Sequence, residues 1–385
     1  MAKVDPKVDE AIETLNMKDG PTRRRLIAGT GLFSASAAAS ALLAACSSTS
    51  TTGTKSAAGN FPKTPPWQFW FDNHVTTNAF FLPTIYGLQD AAALLRIPTP
   101  KWGGSTISSV PQMISYFNTA VAAKAAGIAT TVISATAFTS PIATALNDGI
   151  PVVSYNADGT YVNGKPDIGS NRLAYVGQAL YLSGQQMGYK IREILPTPSD
   201  IVIFIATPGT GNIQPRYDGA ASVLTPLGYT LHEIGTNAST GLELAPQKAY
   251  LLANKSKIKG AFAVDYGDTG FLAEAITATG LAGKIVAGGF DLAPTTLSGI
   301  KSGVVNFTIN QQPYLQGFLP TLYLYMFNLS GGIALPPDTD TGLTFVTKQT
   351  ISQVLKPERF QGSSSAQKLV TRTGPIISPP ATTST

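Results

Sequence analysis

The residues best equipped for chemistry gather in one stretch, Asn73-His74-Val75-Thr76-Thr77-Asn78-Ala79-Phe80-Phe81. Amides, hydroxyls and an imidazole stand there beside two adjacent phenylalanines. That combination suits a ligand with hydroxyls around its edge and C–H groups on its face, such as a sugar or polyol. Trp102, Ser134, Asn156, Asp158, Arg216, Asp265, Asp291 and Gln311 are further polar, charged or aromatic residues along the chain that residue type alone does not single out. Arginine and aspartate set against vicinal hydroxyls make charge-assisted hydrogen bonds, which are stronger than neutral ones. Each candidate also has a plain structural reading. Phe80 and Phe81 are ordinary core residues at a helix start, Asp291 is a helix cap before Leu292, Arg216 is a surface residue near a helix start, His74 is an exposed loop histidine, and Trp102 packs under a loop.

Other chemistries find little support. The two histidines, His74 and His232, and the single cysteine form no metal-ligating cluster. No Gly-x-Ser-x-Gly elbow is present. Gly209-Thr210-Gly211-Asn212 lacks the Gly-Lys-Ser/Thr ending of a phosphate loop and reads as a loop over a cleft. The expectation is therefore a binding protein and not an enzyme, with no cofactor and no metal. Charged residues make up only 13% of the 385, with a net charge of +5. Lysine and arginine are not clustered as a nucleic-acid binder requires.

Strand and helix patterns alternate around these candidates. Strand-like runs are predicted at 67–71, 128–134, 151–155, 201–206, 229–234, 260–264 and 284–290. Helical patterns are predicted at 82–95, 110–126, 142–148, 180–194, 219–227 and 271–279. Such alternation indicates βαβ units and mainly parallel sheets. Two sets, split near residue 178, predict an α/β fold of two doubly wound lobes with a cleft between them. The Asn73–Phe81 stretch then lies where a strand hands over to a helix, the end of an open sheet at which ligands bind.

The first 45 residues read as an export leader and not as part of the fold. Thr22-Arg23-Arg24-Arg25-Leu26-Ile27 resembles a twin-arginine signal, followed by an uncharged run of small and apolar residues from Ala28 to Ala45. Leu43-Ala44-Ala45-Cys46 resembles a bacterial lipobox, which implies lipidation of Cys46. Residues 46–60, rich in Ser, Thr, Gly and Ala, read as a flexible tether. Beyond the leader no stretch of about 18 apolar residues occurs, so the expectation is a protein anchored to the membrane without spanning it.

Taken together, Thr77-Asn78-Ala79-Phe80-Phe81, Gly149-Ile150-Pro151-Val152-Val153, Arg216 with Gly219, Gly289-Phe290-Asp291 and the run from Gly303 to Gln311 resemble the substrate-binding proteins of ABC importers. The resemblance is to the ribose-binding type, a type I periplasmic binding protein, over roughly residues 67–330. It implies that loops from both lobes close on one sugar. It places Asn78 on sugar hydroxyls, Phe80 and Phe81 on the ring, and Ser134 where the family often has asparagine. Asn156 and Ala157 replace an aspartate-arginine pair, and Asp158 supplies the missing carboxylate. Arg216, Asp265 and Asp291 are implied as second-lobe ligands, and Gln311 as a ligand beside a hinge crossing. Asn73 and His74 stand where ribose-type members have small or hydroxyl residues, and Trp102 would add a second stacking face. These departures point to a different pentose, hexose or polyol.

The expected organisation is a first lobe of 61–178 plus 313–342, a second lobe of 179–312 plus 343–362, and a tail at 363–385. Hinge crossings are expected near 177–180, 291–296 and 311–314. The expected partners are a permease and an ATPase, with a monomeric binding subunit. The alternatives are a surface lipoprotein feeding a sensor kinase or chemotaxis partner, or a binder of a nucleoside or amino acid.

Overall fold

A computed structural model describes residues 63–159, 161–162, 165–166, 170–237 and 241–355. The expected leader, Cys46, the tether and the tail lie outside the described residues. Among the described residues no helix is long and apolar enough to cross a membrane.

The first lobe begins with β1 (Phe69–Asn73), α1 (Leu82–Leu95), β2 (Lys101–Gly104), α2 (Val110–Ala122), β3 (Gly127–Thr130), α3 (Ala135–Asn147) and β4 (Val152–Tyr155). A short antiparallel hairpin, β5 (Tyr161–Val162) and β6 (Lys165–Pro166), precedes β7 (Ala174–Gly177). The second lobe follows with α4 (Leu180–Ile194), β8 (Asp200–Ile205), α5 (Gln214–Leu224), β9 (Thr230–Gly235), α6 (Leu244–Asn254), β10 (Gly260–Ala263), α7 (Tyr266–Ala278), β11 (Val286–Phe290), α8 (Pro294–Ser302) and β12 (Phe307–Asn310). The chain returns to the first lobe with α9 (Leu315–Ser330) and β13 (Asp338–Asp340), and ends in the second with β14 (Thr344–Thr347).

Each lobe is built on a six-stranded sheet, in the orders β13-β7-β4-β3-β1-β2 and β14-β12-β11-β10-β8-β9. All pairings are parallel except β12 with β14. Helices cover both faces, which makes the central strands apolar on both sides. In β1, Trp70 packs toward Met113, Phe117 and Ile128, while Phe69 and Phe71 pack toward Phe81, Leu88 and Leu324. The two-residue period of a strand thus feeds two separate cores. The second lobe repeats the scheme: Ile201 and Ile203 join Met187 and Leu224, while Val202 and Phe204 join Leu251 and Leu272.

Three connections cross between the sheets: 178–179, 311–314 and 341–343. The expected crossing at 291–296 is corrected. Asp291 donates its N–H to the Ile309 carbonyl at 2.8 Å, and α8 then packs against α7, so this segment stays in the second lobe. The stretch Lys101–Gly104, absent from the predicted strand runs, is the edge strand β2 paired with β1.

Candidate functional site

The carboxyl ends of both sheets face one cavity of about 350 Å³. His74–Phe81 follows β1, Asn156 follows β4, Thr207–Arg216 follows β8, and Asn237 and Glu243 follow β9. Asp265 follows β10, Asp291 follows β11 and Gln311 follows β12. Of the predicted site residues, the cavity is lined by His74, Asn78, Phe80, Phe81, Asn156, Arg216, Asp265, Asp291 and Gln311.

One wall is mostly neutral. Phe80 and Phe81 meet edge to face at 4.8 Å between centroids, and His74 meets Phe81 the same way at 5.3 Å. Asn78 caps the short helical turn Ala79–Phe81: its Oδ1 accepts from the Phe80 N–H at 2.9 Å. That bond orients the loop and commits only the oxygen of the amide. Burial lowers the His74 pKa to about 4, so the ring is neutral. The neutral ring donates from Nδ1 to Thr131 Oγ1 at 3.1 Å and accepts at Nε2 from Asn212 Nδ2 at 3.4 Å.

The opposite wall carries the charge. Arg216 is buried at the start of α5, donating from Nη1 to the Val264 carbonyl at 2.9 Å. Its Nε and Nη2 donate to Gln178 Oε1 at 3.2 and 3.0 Å, and its guanidinium lies 4.3 Å from the Phe290 ring centre. Desolvation lowers its pKa, while Asp291, Tyr175 and Asp265 oppose that shift. Asp265 caps α7, accepting from the Asp268 N–H at 2.9 Å and the Ala206 N–H at 3.0 Å. Asp291 Oδ1 accepts from Gln311 Nε2 at 2.7 Å. Gln316 Nε2 donates to Gln311 Oε1 at 3.1 Å, and Asn156 Nδ2 donates to Gln316 Oε1 at 3.0 Å. One buried chain of amides therefore runs from the first lobe through a crossing to Asp291.

Four predicted residues do not line the cavity. Asn73 is wholly buried, donating from Nδ2 to the Tyr155 hydroxyl at 2.9 Å and accepting at Oδ1 from the Val75 N–H at 2.8 Å. It shapes the loop that presents His74. Trp102 lies behind the wall, 5.9 Å from the Phe81 ring and stacked on Phe71 at 6.4 Å. Ser134 occupies the N-cap position of α3. Asp158 is turned away: Arg172 grips its carboxylate with Nη2 at 2.6 Å and Nε at 3.1 Å, and the Ser154 hydroxyl donates to it as well.

Sequence reasoning passed over Asn237, Glu243 and Tyr266, which line the cavity. Tyr266 follows Asp265 directly, so the strand-end rule could have found it. The loop from Gly209 to Asn212 overhangs the cleft as expected, with Thr210 and Asn212 in the lining. Phe80 faces Tyr266 across the cleft, with centroids 6.1 Å apart.

A cavity between two such lobes, closed by strand-end loops, is the arrangement that periplasmic binding proteins share. The family model for a periplasmic binding protein domain matches residues 69–327. The chain belongs to this family. The xylose/arabinose-binding protein XylF of Sulfolobus acidocaldarius is 42% identical over 322 residues, spanning 80% of this chain and 78% of that protein. Two solved structures share the fold. An ABC transporter solute-binding protein from Burkholderia graminis in complex with D-arabinose superposes with a TM-score of 0.66 at 22% identity, covering 76% of this chain and 98% of its own. GanP, a glucose-galactose binding protein from Geobacillus stearothermophilus, gives 0.66 at 20% identity, covering 74% and 99%.

Proposed function

We propose that the protein captures a monosaccharide or polyol outside the cytoplasm and delivers it to the membrane permease of an ABC importer. The observation that carries this reading is the cavity itself. Aromatic edges and a neutral histidine form one wall, and Arg216, Asp265 and Asp291 form the other. A sugar presents C–H faces to the first and hydroxyls to the second. The 350 Å³ cavity lies at the small end of the roughly 300–1,000 Å³ range of small-molecule sites, which suits a ligand the size of a monosaccharide. The 42% identity to a xylose/arabinose-binding protein puts pentoses first among the candidates.

The ligand acts by favouring the closed arrangement over the open one, since only differential affinity moves such an equilibrium. The bonds and ring contacts across the cleft, His74 with Asn212 and Phe80 with Tyr266, belong to the closed side of it. Lipidation at Cys46 would keep the protein beside its permease.

Calorimetric titration with D-xylose, L-arabinose, D-glucose, polyols and amino acids tests the ligand class. Saturable binding of a sugar or polyol, with compaction in small-angle scattering, is the expected result. Silence across sugars with binding of an amino acid would keep the fold and overturn the ligand class. Loss of membrane association in Cys46→Ala would support the anchor, and unchanged association would remove it.

A further inference from the structure

Glu243 directly precedes α6 and lines the cavity. The residue is buried, with 4% of its surface exposed. Its Oε2 has no hydrogen-bond partner among the described residues. The rest of the carboxylate is well seated. Oε1 lies against the backbone of Gly267, where the Cβ of any other residue would collide with it. A glycine at the second position of α7 thus makes room for this side chain. A buried carboxylate oxygen left without a donor is costly, and native proteins rarely keep one without a use.

Its surroundings say what use. Asp265 is the charged neighbour, and Tyr266 and Gly267 complete the local lining. Among the described residues no cationic side chain pairs with Glu243, and Arg216 is turned to Gln178 and the Val264 carbonyl. Burial raises the Glu243 pKa, Asp265 raises it further, and a hydrogen bond from its own backbone amide works the other way. No described residue supplies a donor to Oε2, which leaves that oxygen free to accept from a ligand bound in the cavity.

We propose that Glu243 accepts a hydrogen bond from one ligand hydroxyl through Oε2 and makes that hydroxyl obligatory for binding. This inference rests on the sugar-binding reading. It adds to that reading a discriminating residue outside those that the family resemblance implies. A site built around a hydroxyl rejects the deoxy analogue, because the buried acceptor is then left unpaired. The same logic makes the carboxylate a burden on the empty protein. Removing it should leave the ligand-free protein at least as stable as before.

The test combines binding and melting on the whole protein. Affinities of wild type, Glu243→Gln and Glu243→Ala are measured for the best-bound sugar and for its single-deoxy analogues, beside the Tm of each ligand-free protein. Glu243→Gln should weaken binding about 10- to 100-fold, the scale of a hydrogen bond to a charged group. One deoxy analogue should bind wild type worse by a similar factor, and Glu243→Ala should lose that preference. Neither substitution should lower the ligand-free Tm. If wild type binds a sugar and Glu243→Gln binds it equally well with the same selectivity, this inference falls and the sugar-binding reading stands. If both variants melt earlier without ligand, the carboxylate is structural and the inference falls as well. If wild type binds none of the sugars, the sugar-binding reading has failed and takes this inference with it.

Discussion

Asn212 Nδ2 stands 3.4 Å from His74 Nε2, and the two residues belong to opposite lobes. The contact requires a neutral imidazole, because Nδ1 already serves Thr131 and a protonated Nε2 would face the amide donor. Burial supplies that neutrality by lowering the pKa from 6.5 to about 4.

The sign of the resulting pH dependence follows from linkage. The unfolded chain takes up a proton at His74 below about pH 6.5, whereas the folded chain resists until about pH 4. Between those values the unfolded state binds more protons, so stability falls as pH falls. The buried carboxylates with raised pKa values, Asp72 and Asp268 among them, work in the opposite direction. The informative quantity is therefore the difference between wild type and His74→Gln. Denaturant unfolding from pH 7.5 to 4 should show wild type losing up to about 3 kcal/mol relative to the variant. Parallel curves for the two proteins would remove His74 as the source.

Asp291 gives the next prediction. It sits in the left-handed region at φ 73°, where asparagine is tolerated, and its backbone is held by Ile309 and Thr308. Asp291→Asn should therefore fold normally. The loss of charge opposite Arg216 should weaken ligand binding by about 1.5–3 kcal/mol. Titration calorimetry decides it, and an affinity within about threefold of wild type would exclude Asp291 from the ligand contacts.

These expectations show where sequence was readable. The helices at 82–95 and 180–194 have the bounds that their apolar pattern predicts. Most central strands stood out because burial on both faces makes them continuously apolar, but the four-residue strands β7 and β12 were missed. The edge strands of the first lobe did not stand out: β2 is Lys-Trp-Gly-Gly and β13 is Asp-Thr-Asp, both partly exposed, whereas the second-lobe edge strand β9 overlaps the run expected at 229–234. Pro320 inside α9 disguised a long helix. At the site, position was legible and orientation was not. Asn73 ends β1 and His74 follows it, yet one is spent on Tyr155 and the other faces the cavity. Asp158 was misread because its partner, Arg172, is 14 residues away and nothing local announces the pair.

That pair yields a stability prediction with no effect on binding. Arg172 contacts Asp158 twice and also reaches Asp338 Oδ1 at 2.8 Å, joining the end of β4 to the edge of the sheet. Asp158→Ala leaves a half-buried guanidinium with only the exposed Asp338 and the Pro337 carbonyl as partners. The cost should be roughly 3 kcal/mol in chemical denaturation, with sugar affinity unchanged. A selective loss of affinity at full stability would return Asp158 to the site.

The contact between α4 and α5 ties packing to function in the second lobe. A Cβ at Gly184 would overlap the carbonyl of Arg216, and one at Gly219 would overlap the carbonyl of Tyr181. The helices approach this closely only because both positions are glycine. Gly184→Ala must push α5 outward, at about 1–3 kcal/mol of overpacking. Because Arg216 rides on the displaced backbone, ligand affinity should fall together with Tm. Gly188→Ala serves as the comparison. Its Cβ would press on Val223 and Ala220, further along the same contact and away from Arg216. It should lower Tm with a smaller effect on affinity. Equal losses of affinity in the two variants would mean that helix spacing in general, and not the placement of Arg216, governs the second wall of the cavity.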